Sequence, residues 1–395
     1  MEAPLEDRLN KLLGYAEDEP NNYLLLCEAG DLCLELGDTA RAWPLLEQAL
    51  VLRPDDPAAQ YRMAALLYQE KAFEGSLLLT GRLLEQGHIN AVIRHQHVLC
   101  LVALARLAEA GPLLQTLIDE GAGFAGLPHL YIRTQHYLGR VDEAAAYAAA
   151  HIHSHPDDTC GRAMLALLLL DQEKYVEADR VASEVLMLQA DNLDALIAAG
   201  STAIALEREA QAKTFFTRAL AVNSQSGRAW LGIGLNSMLE GRLEKANIEL
   251  DRAVRYMPSH LGSWNALAWV HILQRDFDTA WTTFQHSLTV DRHFGEAYGG
   301  LAVVAAARGD WEEASILTDT ALRLQPDSFA GRFAHSLLLA NRGRPQRASA
   351  MIDAMLDLSA APSGGNLSGL IRRFAARQQA GLSCAAMMRG PLVLH

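Results

Sequence analysis

The sequence predicts an all-α solenoid of about ten helix-turn-helix repeats with capping helices at its ends. Three observations carry that prediction. Proline-centred turns recur at Pro54, Pro156, Pro258 and Pro326, separated by 102, 102 and 68 residues, all multiples of 34. A 34-residue ruler starting units at Tyr23, Pro57, Ala91, Ala125, Thr159, Leu193, Gly227, Leu261, Gly295 and Phe329 aligns small residues at fixed positions. No stretch shows the period-two alternation of a half-buried strand. A fixed period of this length marks a repeat architecture.

The register aligns chemistry as well as prolines. The twentieth position of successive units is Ala42, Ser76, Ala110, Ala144, Ala178, Ala212, Ala246, Ala280, Ala314 and Ala348. The eighth is Gly30, Ala64, Val98, Ile132, Ala166, Gly200, Gly234, Ala268, Ala302 and Ser336, small in eight of ten units. Two helices cross closely only where each presents a small side chain, so these positions predict one repeated helix crossing. Large apolar residues fill neighbouring slots: Trp230, Trp264 and Tyr298 at the fourth position, Phe216, Leu250 and Phe284 at the twenty-fourth.

This pattern resembles the tetratricopeptide repeat, whose motif reads W-x2-L-G-x2-Y, then A-x3-F, A and P over 34 residues. Gly227 to Pro258 carries it most fully, with Trp230, Ile233, Gly234, Ala246, Leu250, Ala253 and Pro258 in the motif slots. The resemblance runs from Tyr23 to Pro362 without an insertion. It implies a right-handed superhelical solenoid of tetratricopeptide-like repeats, each burying its faces against its neighbours. Units two to four depart from the motif: Gln60, Arg94 and Pro128 replace the tryptophan, and Val98 and Ile132 replace the small eighth residue. Those departures bear on the local crossing and not on the repeat.

Local signals agree with helix pairs. Gly37-Asp38, Gly139-Arg140, Gly241-Arg242, Gly309-Asp310 and Gly343-Arg344 fall mid-unit, where glycine supplies a left-handed cap and aspartate accepts from the next helix. Pro44 and Pro112 share one register inside second helices, which are expected to start late or kink there. Leu5 to Glu19 is amphipathic and reads as the second helix of a truncated unit. Asn366 to Ala380, with Leu367, Leu370, Ile371 and Phe374 at helical spacing, reads as a capping helix linked by Ser363-Gly364-Gly365. The expected division is therefore an N-terminal half-repeat over 1–22, ten repeats over 23–362, and a capping helix with a tail over 363–395.

Composition narrows the function. Half of the 395 residues are apolar and the formal net charge is −13, a poor basis for gripping phosphate backbones or anionic membranes. The start, Met1-Glu2-Ala3-Pro4, lacks the basic and apolar regions of a secretory signal, and the longest apolar runs are eight residues, against about 20 for a spanning helix. Cys27, Cys33, Cys100, Cys160 and Cys384 show no paired spacing and read as reduced thiols. The expectation is a cytoplasmic protein without cofactor, without nucleic acid as a partner and without membrane insertion.

Three constellations could carry chemistry. His151, His153 and His155, followed by Asp157 and Asp158, are dense enough for zinc. They close a second helix, however, where histidine also meets the free carbonyls, and the capping reading is preferred to a metal. Catalytic motifs such as GxSxG, a P-loop or HExxH are missing, and Gly295, Gly299 and Gly300 lie on a first helix, where they mark close helix approach. An enzyme is not expected. The third constellation follows from the resemblance: in tetratricopeptide proteins the first helices line a concave groove through positions two, five, nine and twelve. Carried onto this chain, those positions give Tyr61, Tyr68, His95, His129, Arg133 and His136 in units two to four. In units seven to ten they give Leu231, Leu235, Met238, Asn265, Trp269, Ile272, Val303, Phe333 and Leu337.

One half of the groove is then polar-aromatic and the other largely apolar. The apolar residues could instead be partly buried between helices; for Trp269 and Phe333 binding is favoured, because exposed aromatic patches usually mark a partner. The family's carboxylate clamp, which needs Lys and Asn at positions five and nine, meets Cys27/Asp31, Tyr61/Ala65 and His95/Leu99 instead. The expected partner is another protein segment, an amphipathic helix or an extended apolar stretch. The leading reading is a scaffold or adaptor; the alternatives are a chaperone for an apolar segment of a secreted or assembled protein, and a non-catalytic targeting subunit of a separate enzyme. Residues 1–56 hold 13 acidic and 4 basic side chains and residues 342–395 hold 2 and 7, which permits head-to-tail self-association.

Overall fold

A computed structural model describes residues 2–358, and all of their regular structure is α-helical, with no strand among the described residues. The capping helix expected at Asn366–Ala380 and the tail after it lie outside the described residues. A first helix, α1 (Glu2–Asp18), precedes a series of helix pairs: α2 (Tyr23–Glu35) with α3 (Thr39–Leu52), α4 (Pro57–Gln69) with α5 (Phe73–Glu85), α6 (Ala91–Ala103) with α7 (Leu107–Asp119), α8 (Leu127–Tyr137) with α9 (Val141–Ser154), and α10 (Thr159–Asp171) with α11 (Tyr175–Leu188). The series continues with α12 (Leu193–Ala205) and α13 (Glu209–Val222), α14 (Gly227–Leu239) and α15 (Leu243–Tyr256), α16 (Leu261–Leu273) and α17 (Phe277–Val290), α18 (Gly295–Arg308) and α19 (Trp311–Leu324), and α20 (Phe329–Asn341) and α21 (Pro345–Leu358). This is an all-α repeat solenoid. Two compact units are distinguished, Met1–Tyr147 and Ala148–His395.

The starts of first helices repeat one device. Asn22, Asp56, Asn90, Asp158, Asn192, Ser226, His260 and Ser328 each precede a first helix and accept from one of its free backbone N–H groups. Between first and second helices the backbone turns through the left-handed region at position fifteen in every unit. Glycine holds it at Gly37, Gly139, Gly241, Gly309 and Gly343, but Lys71, Ala105, Glu173, Glu207 and Arg275 adopt it too. Asp38 and Asp276 then cap their second helices through Arg41 N and Thr279 N, whereas Asp310 makes no such bond.

In the first unit α1 seats Leu9 among Tyr23, Leu26, Ala42 and Leu46. Ser76, the lone serine at position twenty, satisfies its hydroxyl by donating to the Ala64 carbonyl at 2.7 Å. Pro44 and Pro112 do not delay their helices: α3 starts at Thr39 and α7 at Leu107, and each runs through its proline. The proline is the sixth residue of each helix, so its missing N–H faces a carbonyl of the first turn and removes one bond near an end. Gln60 compensates for the missing tryptophan in its unit by donating Nε2 to the Pro54 carbonyl at 2.8 Å.

In the second unit the same fourth position does the same work. Trp230 donates to the Ser224 carbonyl, Trp264 to the Pro258 carbonyl, Tyr298 to the Arg292 carbonyl and Arg332 to the Pro326 carbonyl, each six residues back in the preceding turn. The predicted helix crossing is direct. All ten residues at position twenty are 0% exposed, in both units. A Cβ built on Gly200 would lie 2.8 Å from the Phe216 ring, and one on Gly234 would lie 2.7 Å from Leu250. Helices α18 and α20 approach still more closely, since a Cβ on Gly299 would lie 2.3 Å from the Gly331 nitrogen. Glu296 closes that contact by accepting from Phe329 N and Ala330 N at 2.7 and 3.1 Å, and burial pushes its carboxyl pKa up.

Candidate partner-binding face

The inner-face positions fall on first helices in both units. In the first unit Tyr61 and Tyr68 are half-buried on α4, and burial raises both phenol pKa values. The Tyr68 ring lies 5.4 Å from Phe73. On α6 the His95 ring stacks on Phe124 at 4.1 Å with an interplanar angle of 7°, and burial lowers its pKa, so the stack holds a neutral imidazole at pH 7. On α8, His129 and His136 are half-buried and Arg133 is exposed. The sequence reading missed Phe124, which sits in the connection between α7 and α8 and so belongs to no inner position of the register. The clamp slot at Asp31 is taken up by an ion pair with Arg62 at 2.8 Å.

In the second unit the positions divide into two groups. Leu231, Leu235, Ile272, Phe333 and Leu337 are half-buried. Met238, Asn265, Trp269 and Val303 are buried. Trp269 is therefore not the exposed aromatic expected from its position. Its ring lies 6.1 Å from Phe329 and 6.2 Å from Phe333, two rings that are themselves parallel at 6.3 Å. The close approach of α18 to α20 brings α20 within reach of α16, and Trp269 fills the space between them. Trp269, Val303, Ile272, Phe333 and Leu337 share one apolar cluster with Phe329; Leu231, Leu235 and Met238 belong to another. Phe329 was also missed, although its i, i+4 spacing from Phe333 was a readable sign that the two share a helix face.

The histidine-rich end of α9 lies against the start of α10. His151 and His155 stack at 4.3 Å, and His155 Nδ1 lies 3.1 Å from the His151 carbonyl. His151 Nε2 lies 3.2 Å from Asp158 Oδ2, while Asp158 Oδ1 accepts from Gly161 N at the start of α10. These contacts join the end of one helix to the start of the next.

Residues 27–87 match the family model described as tetratricopeptide repeat. A chain of the APC/C hetero-tetramer Cut9–Hcn1 superposes with a TM-score of 0.57 at 14% identity, over 95% of this chain and 94% of that one. YrrB, described as a tetratricopeptide repeat protein with an unusual peptide-binding site, matches over 48% of this chain and 97% of its own at 21% identity, with a TM-score of 0.37. A tetratricopeptide repeat protein of Parabacteroides merdae matches over 62% of this chain and 96% of its own at 17% identity, with a TM-score of 0.45. A comparison with curated proteins finds no match. The described residues have the fold of a tetratricopeptide repeat solenoid, and residues 27–87 also match that family by sequence. Among the described residues no helix is long and apolar enough to cross a membrane.

Proposed function

We propose that the protein is a non-enzymatic interaction scaffold that holds a segment of another protein against its first helices, with residues 23–362 as the repeat array between 1–22 and 363–395. The observation that supports this most is the partly exposed apolar rim of Ile272, Phe333 and Leu337 around a buried aromatic centre. Half-exposed apolar side chains beside aromatic anchors are what a binding hot spot is made of. A chain of the same fold assembles with other subunits in the Cut9–Hcn1 hetero-tetramer.

The test is affinity purification from native cells with wild-type protein and with the double variant Ile272→Glu, Phe333→Glu. Both side chains are half-buried, so charge can reach solvent without entering the core. Helical content should stay unchanged while recovery of the partner falls at least tenfold. Unchanged recovery contradicts the reading.

A further inference from the structure

Asn265 and Trp269 stand one turn apart on α16 and share a face of that helix. They are 6% and 3% exposed, and neither the Asn265 Oδ1 acceptor nor the Trp269 Nε1 donor has a hydrogen-bond partner. Buried polar atoms are normally paired, so two orphans of opposite kind at inner positions call for an explanation. The fold does pair the neighbouring indoles: Trp230 Nε1 and Trp264 Nε1 each reach a turn carbonyl at 2.8 Å. Trp269 differs from both, with its ring turned toward Phe329 and Phe333 and its N–H unused.

We propose that Asn265 and Trp269 form a main-chain clamp for an extended segment, an inference that rests on the partner-binding reading above. Asn265 Oδ1 accepts a backbone N–H of the segment, and Trp269 Nε1 donates to a backbone carbonyl. Four residues along α16 rise about 6 Å, and one edge of an extended chain presents N–H and C=O groups alternately within a repeat of about 6.6 Å, so an acceptor and a donor one turn apart face one such edge. An apolar side chain of the segment then rests on Phe329 and Phe333. A bound helix does not answer the two orphans, because its interior N–H and C=O groups are already bonded to each other. Because both atoms are covered in the free protein, the indole must turn away from Phe333 as the segment enters, and its fluorescence reports that movement.

The probe is a phage-displayed library of random twelve-residue peptides panned against the full chain. Selected peptides should bind wild-type protein with a change in tryptophan emission. Trp269→Phe, which keeps a ring and deletes the N–H, should weaken them about tenfold, as should Asn265→Ala. A single backbone N-methyl group at one position of the peptide should do the same, while Trp264→Phe leaves affinity unchanged. Peptides that bind as helices, or that bind Trp269→Phe and wild type equally, overturn the clamp and leave the groove reading intact. A selection that returns no binder counts against the groove reading itself.

Discussion

The Phe216 ring occupies the space that a side chain would need at Gly232, where a built Cβ would lie 2.2 Å from ring carbon. Phe216 comes from the second helix of one repeat and Gly232 from the first helix of the next, so this contact locks neighbouring repeats together. Phe284 and Gly300 repeat it two units on, at 2.1 Å. The ring is fully buried and has no space to retreat into.

Gly232→Ala should therefore destabilise the protein, by about 1–3 kcal/mol for overpacking of a filled core. Helix propensity alone would favour alanine here, so the sign of the change decides between crowding and propensity. Urea unfolding followed by circular dichroism measures it. Gly14→Ala, at a site where a Cβ meets nothing, serves as the control.

The five non-glycine residues at position fifteen point the other way. Lys71, Ala105, Glu173, Glu207 and Arg275 hold φ between 56° and 64°, a conformation that is costly for L-residues. Glu207→Gly and Arg275→Gly should each raise stability by about 0.5–1 kcal/mol. A thermal melt of the double variant should shift upward, and a downward shift would show that those side chains hold the turn by contacts of their own.

The fourth-position hydrogen bond can be deleted without removing its ring. Trp264→Phe loses the bond to the Pro258 carbonyl and should cost about 0.5–1.5 kcal/mol. Gln60→Leu should cost a similar amount through Pro54. Hydrogen exchange should show the loss at the turn before the altered helix rather than along the whole chain.

Asp56 carries a pH dependence whose sign follows from its surroundings. The Tyr23 hydroxyl donates to it at 2.8 Å and the start of α4 donates as well, which holds its pKa below the usual carboxylate range. A depressed folded pKa adds stability that is complete above the unfolded value, near pH 4, and is lost as the pH falls through the folded value. Asp56→Asn should be less stable than wild type at pH 7, and the difference should shrink on acidification toward pH 2. Urea midpoints at the two pH values check this.

Much of this was readable from residues. The 34-residue ruler matches the starts of nine of the ten first helices, and the small residues at positions eight and twenty identified the crossing. Unit four is an exception at one end: α8 starts at Leu127, after a turn through Gly121 and Gly126 in left-handed conformations. The five left-handed non-glycine residues carry no local turn signal, since Lys, Glu, Arg and Ala are ordinary helix formers. Only their register reveals them. The burial of Trp269 was not readable because it depends on how near α20 comes to α16. That distance follows from the absence of a side chain at Gly299, thirty residues from Trp269 in sequence, where a Cβ would meet the α20 backbone. Phe124 was missed for a related reason: a connection outside the register delivered a ring to His95.

The central claim is that the partner lies on the first helices rather than on the second. A photo-cross-linking amino acid placed at Phe333 or Leu235 reports the inner face, and one placed at Met187, Ile248 or Ile316 reports exposed apolar positions of the second helices. Cross-linking in native cells followed by mass spectrometry should give one partner from Phe333 and Leu235 and little from the other three. Cross-links to that partner concentrated at Met187, Ile248 and Ile316 would contradict the account.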